Sequence, residues 1–200
     1  MKKIILSAIL TSYSSFIFAN NNFTSWHIGG ELNTGKHSFT ISEGINFNSA
    51  GKKGIGLAVY GGYGFDLSNN FISIGEARIN IGGGKSQKDG NVISKEKYGM
   101  TLAYLQGYRV TDSILPYIKL GGELSVFNLN KLETESGYQI NDETNGNFGA
   151  FGFVYGLGVK FAIQPNLDIG IEYTRSNLKR ITEDAKFKTD KLSLKVGYSF

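Results

Sequence analysis

Leu192, Leu194, Val196, Tyr198 and Phe200 alternate with Lys191, Ser193, Lys195, Gly197 and Ser199 at the end of the chain. Strict alternation puts one set of side chains on each face of a β-strand. A strand at a chain terminus is a sticky edge unless something covers it. A closed barrel covers it by pairing the last strand with the first. The same alternation recurs upstream. It predicts strands over about Phe23–Leu32, Gly54–Phe65, Phe71–Ile81, Tyr98–Tyr108, Pro116–Phe127, Phe148–Phe161, Leu167–Arg175 and Asp190–Phe200. The fourth is the least regular. Gln106 interrupts its apolar face and Leu105 sits opposite, so a bulge or register change is expected there.

The connections alternate in length. Short turns fall at Asp66–Asn70, Thr111–Ser113 and Gln164–Asn166, in residues that bond their own backbone. Long polar stretches fall at Asn33–Lys53, Gly82–Lys97, Asn128–Asn147 and Ser176–Thr189. Each strand is about long enough to cross a bilayer at a tilt. The expected fold is therefore all-β, an eight-stranded antiparallel transmembrane barrel with up-and-down meander order. In a soluble barrel the face opposite the apolar one carries solvated Lys, Glu and Thr. Here that face is crowded with glycine and alanine, which suits a narrow lumen.

Composition adds the compartment. The chain has 27 glycines, 2 prolines and no cysteine, so nothing depends on disulfides. Lys2 and Lys3 precede an apolar stretch from Ile4 to Phe18 with a small residue at Ala19, the pattern of a cleaved secretory signal. The expected division is a signal peptide over 1–19 and a barrel domain over 20–200. Removing Lys2 and Lys3 lowers the formal charge from +4 to +2, so charge does not suggest a nucleic-acid partner. No later apolar run is long enough for a helical span. An exported, cysteine-free, alternating chain points to the outer membrane of a Gram-negative bacterium. The loops would be extracellular and both termini periplasmic.

The inward positions carry His27, Glu31, Glu76, Arg78, Lys119, Glu123, Lys160, Asp168, Glu172 and Lys195, joined by Arg109 if the fourth strand keeps its register. Acids and bases nearly balance. An eight-stranded barrel has an interior just wide enough for side chains, and buried charges persist only when paired. A polar plug is the expectation, with an ion path as the alternative.

Enzyme chemistry finds little support. His37 beside Ser38 is the one adjacency that suggests a lipid-modifying hydrolase, and adjacency is not triad geometry. Gly82-Gly83-Gly84-Lys85-Ser86 has Ile79 where a phosphate loop needs its first glycine, so it reads as a strand exit. Asn141-Asp142-Glu143 lacks calcium-loop spacing and reads as a solvated loop tip. No zinc pattern exists without cysteine and with two scattered histidines. No catalytic residue, cofactor or metal is expected.

These features resemble the OmpA-like transmembrane domain and the small opacity-type and OmpX/Ail-like surface barrels. The signal segment, the eight alternating strands, Pro116-Tyr117 opening the fifth strand, and the ending Val196-Gly197-Tyr198-Ser199-Phe200 carry the resemblance. It implies that the terminal strand, with Tyr198 and Phe200, is read by the outer-membrane assembly machinery. It also implies roles in envelope integrity, adhesion or resistance to host serum factors. Lys36, Lys52, Lys53, Lys85, Lys88, Lys95 and Lys97 bias the predicted outer loops toward positive charge, with Lys179, Arg180, Lys186 and Lys188 in the last loop. Such charge suits lipopolysaccharide phosphates or host surface molecules. The rival readings are a narrow porin-like pore for ions or small solutes and, more remotely, a lipid-modifying enzyme.

Overall fold

The computed structural model describes residues 23–41, 47–48, 50–68, 70–88, 91–129, 147–180 and 185–200. The expected signal segment, most of the third long loop and the Asn141-Asp142-Glu143 tip lie outside these residues. Eight long strands form the wall: β1 (Trp26–Ile41), β4 (Gly54–Ser68), β5 (Phe71–Gly82), β7 (Asn91–Tyr108), β8 (Ile114–Leu129), β9 (Asn147–Gln164), β10 (Leu167–Arg180) and β11 (Ala185–Ser199). Three short strands, β2 (Phe47–Asn48), β3 (Ala50–Lys52) and β6 (Lys85–Lys88), extend one rim.

Each long strand pairs antiparallel with its neighbours in the chain, and β1 pairs with β11 from His27↔Ser199 to Ile41↔Ala185. The sheet is thus closed, and the eight-stranded meander barrel expected from the alternation is the fold observed. Closure continues past the ladder, where Phe200 N donates to Trp26 O at 2.9 Å, and on the other edge of β11 Ser199 N donates to Asn166 O in the β9–β10 turn at 2.8 Å. The short turns lie at the rim that carries the chain ends. Asn70 takes φ 71° in the β4–β5 turn, a conformation asparagine tolerates.

Burial alternates along the wall. Leu32, Leu57, Ile79, Leu102, Leu120, Leu157, Ile171 and Leu194 point outward and are exposed, while the residues between them point into the lumen. An apolar band around the whole outside is unstable in water and stable in hydrocarbon.

The strands run further than the apolar alternation predicts. β1 continues to Ile41, β7 begins at Asn91, β10 continues to Arg180 and β11 begins at Ala185. Much of the predicted long loops is therefore paired strand. On β1, β10 and β11 the outward face turns polar above the apolar band, so the outward hydrophobic period falls silent while backbone pairing continues.

The irregularity expected near Gln106 is not there. β5 and β7 pair without interruption from Phe71↔Tyr108 to Ile81↔Tyr98. The shift lies between Glu96 and Tyr98, against β8. Leu105 is inward because it joins Phe23, Ile72, Ile74, Leu115 and Tyr117 in an apolar floor at the rim with the chain ends. Gln106 is outward, accepts from the Tyr104 hydroxyl at 2.6 Å and donates to Ile72 O at 3.2 Å.

Candidate functional site: a filled lumen and a basic rim

The lumen is filled in layers above that floor. The lowest polar layer centres on two carboxylates and two lysines. Lys119 Nζ donates to Glu76 at 2.7 Å and to Glu172 at 3.0 Å. Lys195 Nζ donates to Glu76 at 2.8 Å and to Glu172 at 3.4 Å. The Tyr117 hydroxyl donates to Glu172 at 2.9 Å. Lys195 also lies over the Tyr60 ring, with Nζ 4.1 Å from its centroid. Both tyrosines fit because glycine faces them: a Cβ at Gly29 would strike the Tyr60 ring and one at Gly158 the Tyr117 ring. Lys160 pairs with Asp168 at 3.6 Å, and His27 is buried 6.0 Å from the Tyr60 ring.

In the next layer Arg78 donates to Glu31 at 3.0 Å and lies 3.9 Å from Glu172. Ser193 donates to Glu31 at 2.7 Å, and the Asn33 amide donates to Asn80 at 2.8 Å. Higher still, Lys191 bridges Glu96 at 2.7 Å and Glu123 at 2.9 Å. Ser176 donates to Glu123 at 2.6 Å. The column ends in an aromatic lid. Phe127, Phe148 and Phe187 pack with ring centroids 5.0–5.7 Å apart, and His37 sets its ring against Phe127 at 5.0 Å.

All ten inward residues named from the alternation are therefore buried in one column, with Glu96, Lys191, Asn33, Asn80, Ser176 and Ser193 completing it. Arg109 is not among them. It sits at the rim with the chain ends and pairs with Asp66 at 3.2 Å. His37 and Ser38 do not form a catalytic pair. His37 is buried inside the barrel with Nε2 3.1 Å from Ser94 Oγ, and Ser38, next along the same strand, projects to the opposite face.

The candidate contact lysines scatter around the rim away from the chain ends. Lys36, Lys53 and Lys95 are exposed, and Lys85 and Lys97 are half-buried. Lys36 projects from β1 rather than from a loop, and Lys85 lies opposite Lys95 in the β6–β7 ladder. The side chains of Lys52 and Lys88 lie outside the described residues. Tyr198 and Phe200 face outward on the closing strand.

The arrangement offers side-chain packing and ion pairing throughout the bore. Among the described residues no cluster of acids and histidines is fit to hold a metal ion.

Comparison with known proteins places this geometry. The family described as outer membrane protein beta-barrel domain matches residues 5–200. No curated protein sequence matches the chain. Among solved structures, Neisserial surface protein A is similar, with TM-score 0.57 and 16% identity over 88% of this chain and 97% of that one. The outer membrane protein OprG from Pseudomonas aeruginosa superposes with TM-score 0.51 and 11% identity over 92% of this chain and 99% of that one. At these identities the likeness is one of fold. The family match spans nearly the whole chain, so the protein belongs to the outer membrane protein β-barrel domain family and is an integral barrel of the outer membrane.

Proposed function

We propose that the protein is a closed, non-conducting surface barrel that acts through its outer rim and loops, in adhesion, host-factor binding or envelope integrity. The observation that carries this reading is the filled lumen. An apolar floor, layers of buried ion pairs and hydrogen bonds, and an aromatic lid occupy the bore in succession. An eight-stranded barrel has no room for a water column beside such a set. In this reading the rim with the chain ends faces the periplasm and the lysine-bearing rim faces outward. Tyr198 and Phe200 then end the chain as the strand that the assembly machinery reads.

Single-channel recording of the refolded, signal-free protein in a planar bilayer tests the closed lumen. Silence, or rare small openings insensitive to substitution, is the expected result. Reproducible steps that change when Glu76, Arg78 or Lys119 is neutralised would make the network a conduction path and the protein a pore.

The loop reading has its own test. Neutralising Lys52 and Lys53 together with Lys85, Lys88, Lys95 and Lys97 is expected to weaken cell adhesion and flatten its salt dependence. Adhesion equal to that of the unaltered protein at every salt concentration would reject these lysines as contacts.

A further inference from the structure

On one side of the barrel the outward face changes from aliphatic to cationic within one or two residues. Outward positions on β10 run Ile171, Tyr173, Arg175, Asn177, Lys179, and on β11 they run Leu194, Leu192, Asp190, Lys188, Lys186. The ladder sets Arg175 opposite Asp190, Asn177 opposite Lys188, and Lys179 opposite Lys186. On the far side of β11, Lys36 lies opposite Asp190 and Ser38 opposite Lys188.

Side chains opposite each other on one face of an antiparallel pair are close neighbours, and like charges there repel. Asp190 is already engaged, accepting from Arg175 at 2.6 Å and from Tyr173 at 2.6 Å. No carboxylate among the described residues pairs with Lys179, Lys186 or Lys188. Three lysines therefore crowd one outward patch with no carboxylate of the described residues paired to them.

Beside them the wall has an open concavity of about 360 Å³ lined by Phe151, Phe153, Asn177, Lys179 and Arg180. Phe153 is 76% exposed there, at the level where the apolar band gives way to charge. In the β9–β10 ladder Phe153 lies opposite Asn177 and Phe151 opposite Lys179, with Tyr155 and Leu157 continuing the outward apolar face of β9 away from the lysines. Phenyl rings beside ammonium groups, with an apolar wall leading away from them, match an amphiphile with acyl chains and an anionic head.

We propose that this patch binds a phosphorylated lipid of the outer leaflet. Lys179, Lys186 and Lys188 hold its phosphate, Asn177 donates its amide to a phosphate oxygen, and an acyl chain lies against Phe153 and Phe151. The inference deepens the reading above and takes from it only that this rim faces outward. It does not require the lumen to be closed.

The test uses the full mature barrel, refolded in a non-ionic detergent, with folding checked by the heat-dependent gel shift of intact barrels. Diphosphoryl lipid A, phosphatidylethanolamine and inorganic pyrophosphate are the probes, and binding is read by native mass spectrometry. Lipid A is expected to bind more tightly than phosphatidylethanolamine. The K179Q/K186Q/K188Q variant should weaken it at least about tenfold, since each cation near a lipid surface contributes appreciably. The K179R/K186R/K188R variant should retain it, and Phe153→Ser should weaken lipid A without affecting pyrophosphate.

Equal binding of the two lipids, or a glutamine variant as tight as the unaltered protein, would overturn the site. Pyrophosphate binding as tight as lipid A would make it a soluble-anion site and overturn the lipid assignment. Failure of the closed-lumen reading shows separately, as conductance steps from the same preparation.

Discussion

Glu172→Gln is expected to destabilise the barrel by about 3–5 kcal/mol, the range for breaking a buried ion pair and leaving its partner charged. The substitution is nearly isosteric, so it removes charge with little loss of packing. Glu172 meets Lys119 at 3.0 Å, Lys195 at 3.4 Å and Arg78 at 3.9 Å. Those three cations share only Glu31, Glu76 and Glu172 as near partners. Without Glu172, three buried cations face two carboxylates. The upper layer has the opposite surplus, because Glu96 and Glu123 share Lys191. Glu96→Gln should therefore cost distinctly less than Glu172→Gln.

Denaturant unfolding from lipid vesicles reads the difference. Trp26 is the single tryptophan and lies on the outer face, 59% exposed to the surroundings of the barrel. Its emission reports loss of that environment, and the midpoint shift reports stability. Equal midpoints for the two variants would mean that the charges are not partitioned between these layers. A second change, Lys119→Met on the Glu172→Gln background, should recover part of the loss by removing an orphaned cation.

What the sequence discloses about this column depends on where the apolar face keeps the phase. Glu76, Arg78, Lys119, Glu123 and Glu172 each stand out of phase with the outward apolar residues of their own strand, so alternation alone puts them inside. Glu96 is hidden by geometry. The period that sends Tyr98, Met100 and Leu102 outward assigns Glu96 outward as well, and the register shift between Glu96 and Tyr98 turns it inward. A bulge reverses the face of everything beyond it. The mixed polarity near Leu105 suggested a bulge for a different reason: the apolar floor places leucine and isoleucine inside at one end of the barrel. Apolar residues on the inner face break the pattern without breaking the register.

Lys191 was legible in principle. It keeps phase with Ser193 and Lys195 on β11, and all three are buried. His37 shows the opposite failure. The polar run around it contains no outward apolar residue to mark a strand, so it reads as a loop, yet β1 pairs with β11 through this stretch as far as Ile41. The cationic patch on β10 and β11 was hidden by the same silence. Its lysines were visible, but their placement on adjacent rungs of one outward face was not.

Leu194→Arg is expected to cost about 2–4 kcal/mol in a bilayer, the range for a cation placed on the lipid face near the midplane of a barrel. Leu194 is outward, 57% exposed, and lies in register with Leu32 on β1 and Ile171 on β10. In water the same substitution on an exposed strand position would change stability little. The sign and size of the effect therefore report which solvent touches the wall at that height. The penalty should fall to about 0–1 kcal/mol at outward positions near the interface. Asn147→Arg, outward at the loop end of β9 and opposite Asn128, is the matched comparison. Unfolding of both variants from vesicles, read again through Trp26, separates the cases. A Leu194→Arg barrel with the midpoint of Asn147→Arg would mean that hydrocarbon does not reach the middle of the wall. A clear gap would fix the membrane against the band of Leu32, Ile171 and Leu194. The crowded lysines of β10 and β11 would then lie at headgroup height, where a lipid phosphate can reach them.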